Sequence, residues 1–490
     1  MTTRVLHWFR RDLRLEDNSA LHAAARLATD GVVAVYVQSP GEWAEHDDAP
    51  VKIDFWRRCL ASLAPKLGTL NIPLLVRRAD RPGDIPGLLA DLAAETGCDA
   101  VSFNREYEVN EARLQARVRQ RFAGDGREVI ARHDRYILPP GTVLTNEDRP
   151  YTVFTPFQTR LLDVLPEHGL QVLGKPRKQP AIDVQPDEVP GAFPGGEGHG
   201  VDPGLWPAGE TAALKRLASF LRHHAAGYGD RRDFPGDDGT SALSPYLAAG
   251  AISPRRCLRD AMEADGGQIR VGKRYKGKPT GPGKWISELV WRDFYGHLVH
   301  HMPKLSMGVA MKPVDRRIPW RDDEAGFEAW KRGETGYPFV DAAMRQLAAT
   351  GWMHNRVRMV VAMFLTKHLL IDWRRGERHF MRTLVDGDLA SNNGGWQWSA
   401  STGADAAPYF RIYNPASQAE RYDPDGVFIR RWVPELEGVE GQELFDPERL
   451  PGLLRSQLEY PEPIVAHKAG RERALEAFKA AGDGKPARVS

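Results

Sequence analysis

The first 130 or so residues alternate between β-branched runs and helical runs, and that alternation most limits what the chain can fold into. Val5–Phe9, Val32–Gln38, Ile72–Arg78 and Ala100–Asn104 are short apolar strands. Between them NSALHAAARLA, IDFWRRCLASLAPKL and IPGLLADLAAETG carry helical spacing. Strands that are almost continuously apolar and are separated by helices predict a parallel sheet covered on both faces, a Rossmann-like α/β domain. The turn after the first strand reads RRDLRLEDN, not a glycine-rich fingerprint, so the usual dinucleotide site is not expected there.

Beyond residue 135 the alternation fades. Pro and Gly accumulate in QPDEVPGAFPGGEGHGVDPG, which reads as a surface connection. From Glu210 the runs are helical, the strongest being WMHNRVRMVVAMFLTKHLLIDW, and nine of the 13 tryptophans fall between Trp285 and Trp432. The expected organisation is an α/β domain over 1–134, a connection over 135–209, an all-α domain over 210–480 and a polar tail over 481–490. A chain of 490 residues is long enough for such separate cores.

Composition narrows the class further. Three scattered cysteines (Cys59, Cys98, Cys257) suit neither a disulfide framework nor a zinc site. No apolar run reaches the roughly 18–20 residues that span a bilayer, and the start carries no secretory h-region, so a cytoplasmic protein is expected. Net charge is only +2, but Arg255–Lys284 holds nine Lys/Arg against three Asp/Glu. That run is either a solvated basic loop or a focused contact for a phosphate backbone.

The densest cluster of chemistry is DGDLASNNGGWQW, Asp386–Trp398. Gly and Asn predict tight left-handed turns. Asp386, Asp388 and Asn392, with two large indoles, suit a flat, nitrogen-rich ring whose edges need polar partners. In TSALSPYLAAG, Ser244 followed by Pro245 predicts a capped helix start, and Ser253–Pro254 another. Free N–H groups there, flanked by Thr and Ser hydroxyls, make a phosphate site or simply ordinary capping. A helix over Ser287–His300 aligns Glu288, Trp291, Arg292 and Tyr295 on one face, as an internal ion pair or the wall of a ligand pocket. A helix from Trp352 aligns Trp352, Asn355, Arg356 and Met359. The histidines show no metal-ligand spacing and no nucleophile signature is present, so no metal is expected.

Together these segments resemble the DNA photolyase/cryptochrome family, most closely its class I cyclobutane pyrimidine dimer branch. The resemblance runs through HWFRRDLRLEDNSAL, YEVNE (Tyr107–Glu111), ILPPGTVLT, GTSALSPYLAAGAISPR, WRDFYGHL, GYPFVDAAMRQLAATGWMHNRVRM, IDWRRGERHF, DGDLASNNGGWQW and GADAAPYFRIYNP. It implies an α/β antenna domain and a helical domain holding FAD folded into a U. Tyr228 and the segment Thr240, Ser241, Ala242, Leu243 and Ser244 are implied to hold its phosphates, and Trp285, Glu288, Arg292 and Asn355 to line the cavity. Arg358 is implied to pair with Asp386 beside the flavin, with Gly387 between the two acids. Asp388 is implied to accept from flavin N3–H, and Asn392 to face N5.

The implied reaction is light-driven repair of UV-damaged DNA, in which reduced FAD gives an electron to a flipped-out pyrimidine dimer. Glu288 is implied to hydrogen-bond the dimer. Trp291 and Trp398 would wall it, with Tyr295, Asn355 and Met359 completing the pocket. Arg232, Arg356 and Arg411 fall at positions expected against DNA phosphates. Trp396, Trp373 and Trp320 match the family's electron chain to the surface. Asn355 and Met359 stand where (6-4) photolyases carry histidines, which disfavours that lesion. Asn110 and Glu111 suit the pterin of methenyltetrahydrofolate, but Ser306 and Met307 replace the Cys-Lys pair expected with it, so a deazaflavin, FMN or an empty antenna site stays open. The expected protein is a monomeric photolyase. A cryptochrome-type blue-light sensor and a DNA-binding flavoprotein without photochemistry are the rival readings.

Overall fold

The computed structural model describes residues 3–483 and falls into two compact units. The first comprises Met1–Gly229, Ser241–Met307 and Val385–Ala390, and the second Asp230–Thr240, Gly308–Leu384 and Ser391–Ser490.

A five-stranded parallel sheet organises the first unit: β1 Val5–Phe9, β2 Val32–Gln38, β3 Leu74–Arg78, β4 Ala100–Asn104 and β5 Glu128–Arg132, in the order β3-β2-β1-β4-β5. β1, β2 and β4 are buried along their whole length, as strands covered on both faces must be. The edge strands β3 and β5 end in charged residues, which discourages further pairing. The third strand begins at Leu74, not Ile72, because Pro73 cannot donate to the ladder. Asn18 caps the first helix, Ser19–Leu27, by accepting from the Leu21 N–H.

Part of the helical half folds onto the sheet inside this unit. Arg255 pairs with Asp17 and Asp134, each at 2.9 Å, and Arg14 donates to the Gly250 carbonyl at 3.0 Å. Gly250 has φ +65°, and a Cβ there would stand 2.0 Å from the Arg11 carbonyl oxygen, so no side chain fits. Within the stretch expected to be a connection, Phe154–His168 is helical.

The second unit is helical around a core that includes Trp330, Phe339, Phe364, Trp373, Phe380 and Trp396. Two expected elements change here. The long run from Trp352 is a helix only over Asn355–Met363, capped by His354, and continues as a π-helical turn Phe364–His368. Trp352 therefore lies outside it. The Asn-Gly-rich motif is not a turn: Leu389–Ser399 is an α-helix. The last helix runs His467–Asp483, and the rest of the expected tail lies outside the described residues. Among the described residues no helix is long and apolar enough to cross a membrane.

Candidate functional site

In the first unit the sheet order reverses between β1 and β4, the edge at which open α/β sheets hold ligands. The turns leaving those strands carry Arg10, Arg11, Glu106 and Glu108. Glu106 pairs with Arg10 at 2.9 Å and with Arg11 at 2.6 Å, and Arg11 reaches Glu108 at 3.2 Å and Glu111 at 3.3 Å. Burial alone would raise the Glu106 carboxyl, but the Arg10 and Arg11 guanidiniums hold it at about 2. Burial, then the Glu108 charge, pushes Glu111 up to about 7.

Glu111 and Asn110, the expected antenna residues, open the helix Val109–Gly124. Asn110 hydrogen-bonds His46 at 3.1 Å, and ligand atoms of Glu42, His46 and Glu111 lie within 4.8 Å of one another. The short turn Pro303–Met307, carrying Ser306 and Met307, packs against the same helix.

The helix Gly281–His301 starts earlier than expected, at a Thr280 cap. Trp285 is buried on it, donates to Ser241 Oγ at 3.2 Å and packs on Phe220 at 5.1 Å, which meets Tyr228 edge-on at 5.7 Å. Tyr228, Ser241 and Trp285 thus form one cradle through a phenylalanine that sequence reasoning passed over. Ala242 beside them holds φ +45°, a strained bend for a residue with a side chain. Ser244 is the first residue of a five-residue helix whose N-cap is Leu243, so it is not the cap expected.

Glu288, Trp291, Arg292 and Tyr295 are half-buried while Leu289, Val290 and Phe294 between them are buried, so the mixed stripe is the open side of this helix. Trp291 stacks on Phe154 with centroids 3.7 Å apart and planes 3° apart. Arg292 donates to the carbonyls of Arg135 at 2.5 Å and Leu247 at 3.4 Å. Asp386 and Asp388 are both 7% exposed. Two buried cations from distant sequence pin this segment: Lys52 donates to the Gly387 carbonyl at 2.8 Å, and Arg135 pairs with Asp388.

In the second unit, Asn392 donates to the Glu377 carbonyl and Asn393 to its carboxylate, both at 2.9 Å. Gln397 then donates to Asn393 Oδ1 at 2.6 Å and accepts from the Met311 N–H at 2.8 Å. That bond uses one N–H of the Asn392 amide, whose oxygen is the acceptor the side chain has to offer. Burial holds His354 near 4, hence neutral, and its Nδ1 accepts from the Arg356 N–H. Arg358 donates to the Met353 carbonyl at 2.8 Å, Asn355 is exposed and Met359 half-buried. Asp233 gathers two expected DNA contacts, Arg356 at 2.8 Å and Arg232 at 3.8 Å. Arg411 is exposed and Trp398 half-buried.

Trp373 and Trp396 are buried in one core, with Trp320 packed against it. Trp373 donates to Asp315 at 2.9 Å, and Trp320 meets Phe478 edge-on at 6.1 Å. Trp330, not singled out in the sequence, is fully buried 6.0 Å from Trp396.

The donor set fits FAD. Within the first unit, the buried carboxylates of Asp386 and Asp388 are acceptors of the kind ring N–H groups need, and the Ser241 hydroxyl beside Trp285 is a donor of the kind phosphate needs. Within the second, Asn392 carries an amide of the kind a flavin edge can take. A doubly wound sheet followed by a tryptophan-rich helical half with these acids defines the photolyase/cryptochrome class. Residues 5–179 match the family described as DNA photolyase, and 285–480 match the FAD binding domain of DNA photolyase. The deoxyribodipyrimidine photo-lyase of Escherichia coli K12 is 42% identical over 99% of this chain and 100% of its own length. A bacterial class III photolyase from Agrobacterium tumefaciens superposes with a TM-score of 0.87 at 37% identity, covering 99% of this chain and 98% of that one. A cryptochrome of Synechocystis sp. PCC6803 superposes at 0.85 with 27% identity, covering 97% and 99%. The chain belongs to the DNA photolyase family.

Proposed function

We propose that the chain repairs cyclobutane pyrimidine dimers in DNA using light. FAD, when bound and reduced, supplies the electron that opens the cyclobutane ring and takes it back. The chain's own residues bind, orient and exclude. Tyr228, the segment Thr240–Ser244, Trp285 and Arg292 would hold the cofactor's phosphates and walls. Asp386, Asp388, Arg358 and Asn392 would set hydrogen bonds at the ring edge, tuning its electronics.

The observation that carries repair over sensing is the open stripe of Gly281–His301. Trp291, flattened on Phe154, offers an aromatic wall on a rigid helix, and Glu288 stands one turn away as a hydrogen-bonding partner for a dimer. Tyr295, Asn355, Met359 and Trp398 are the further residues proposed to contact the dimer, while Arg232, Arg356 and Arg411 would meet phosphates by exchanging Asp233 or solvent for them. Asn110 and Glu111, with Glu42 and His46, are the proposed seat of a second chromophore. Trp396, Trp373 and Trp320 are the proposed electron path.

The test is recovery of absorbance at 260 nm by a dimer-containing oligonucleotide mixed with reduced protein. Recovery under near-UV light and none in darkness is expected, and E288Q should lower the yield several-fold while retaining FAD. Flavin photoreduction without recovery would favour the light-sensor reading.

A further inference from the structure

Arg135 belongs to no motif, yet two site residues from distant segments converge on it. Its side chain pairs with Asp388, and its carbonyl accepts from Arg292 at 2.5 Å. The side chain is 5% exposed, and among the described residues its Nε and Nη1 have no hydrogen-bond acceptor. What aims it is charge: Glu108 lies at 3.6 Å and Glu106 at 3.8 Å. Behind these stands Arg11, so the ion pairs run unbroken from Glu111 through Arg11, Glu106 and Glu108 to Arg135 and Asp388. The cluster sets three arginines (10, 11 and 135) against the carboxylates of Glu106, Glu108 and Asp388, with Glu111 pushed up to about 7 beside them, so removing any one cation leaves buried negative charge unopposed.

We propose that Arg135 is a positioning residue of the flavin site, its guanidinium fixing the Asp388 carboxylate in the orientation that receives the cofactor, while the main-chain carbonyl at the same position, which any residue would supply, holds Arg292. This rests on the assignment of Asp388 and Arg292 to the FAD pocket. A buried ion pair contributes little net stability compared with apolar packing. Its value lies in geometry: a single Nη2 contact holds a carboxylate that the Glu108 charge would otherwise repel. Burial lowers the guanidinium's proton affinity, but Glu108 and Asp388 more than reverse this, and it remains a cation.

The experiment is a double-substitution cycle read as the dissociation constant for FAD, from fluorescence quenching on the apoprotein. R135M should weaken FAD binding on the order of tenfold, and R135K, which keeps the charge, should recover most of it. In a D388N background the same R135M change should cost less than a factor of two, because the residue through which Arg135 acts is already altered. If R135M yields no folded protein, R135Q, which keeps a polar side chain but drops the charge, closes the same cycle against D388N. Additive losses in the cycle, or R135M binding FAD as wild type does, would overturn the inference and leave the flavin reading intact. A wild-type apoprotein that takes up no FAD would overturn both.

Discussion

Lys367 is fully buried inside the π-helical turn, and among the described residues no carboxylate pairs with it. Its Nζ donates to Ser401 Oγ at 2.8 Å and sits 3.4 Å from the centroid of the Phe478 ring. Burial, aided by the Lys312 charge, holds it well below the usual ammonium range. The unfolded chain therefore binds a proton that the folded chain lacks, and stability should rise with pH between the depressed folded value and the ordinary one near 10.5. K367M removes that term. At pH 7 it should raise stability on the order of 1–3 kcal/mol and flatten the rise across the alkaline range. Urea midpoints of both proteins at several pH values between 6.5 and 9.5 check this, and a wild-type midpoint indifferent to pH would contradict it.

At the scale of elements, the helix Leu389–Ser399 is where local composition misleads. Two Asn and two Gly favour a turn, yet Asn392 and Asn393 donate to Glu377 and Gln397 accepts from the Met311 N–H, all partners from other segments. Trp396 is locked where Gly376 admits it, since a Cβ on Gly376 would lie 2.2 Å from the indole. Tertiary contacts override propensity, and none of them is written locally. Gly395 pays the helical cost without an evident packing reason: apart from its chain neighbours and the backbone of its own helix, no heavy atom of the described residues lies within 4 Å of a Cβ built there. G395A should therefore stabilise the apoprotein by about 0.5–1 kcal/mol. With FAD present the methyl group would compete for open space beside Asn392, so the gain should shrink or reverse. Melting curves with and without FAD separate these terms. By contrast β1, β2 and β4 were legible to the residue, because a strand buried on both faces reads as a mostly apolar run even where it carries His7, Gln38, Ser102 or Asn104. The edge strand EVIAR gave no such signal. The motif residues were legible too, but their support was not: Arg135 and Asp388 are 253 residues apart, and Asp233 is an ordinary acid until Arg232 and Arg356 converge on it.

At the scale of the molecule, a net charge of +2 gives little long-range pull toward a polyanion, so affinity for DNA backbone has to come from local groups. The basic loop is the largest such reserve, but its cations are not equivalent. Arg274 already pairs with Asp163 at 2.6 Å and Arg270 approaches Asp265 at 3.8 Å, whereas no carboxylate among the described residues pairs with Lys273 or Lys276. Each phosphate neutralised contributes about 0.9 to the slope of log Kobs against log[NaCl]. If the two lysines meet DNA, K273A with K276A should reduce the magnitude of that slope by about 1–2 and weaken damaged and undamaged duplexes alike, since backbone contacts carry no sequence or lesion information. R274A should change it less than either lysine, because the cation is partly spent on Asp163, and D163N should restore its share by releasing it. Titrations of a labelled duplex across 50–300 mM NaCl, an order-of-magnitude range over which such slopes resolve, decide the matter. A slope unchanged in the double lysine variant would return the loop to a solvated surface and leave the phosphate contacts to Arg232, Arg356 and Arg411.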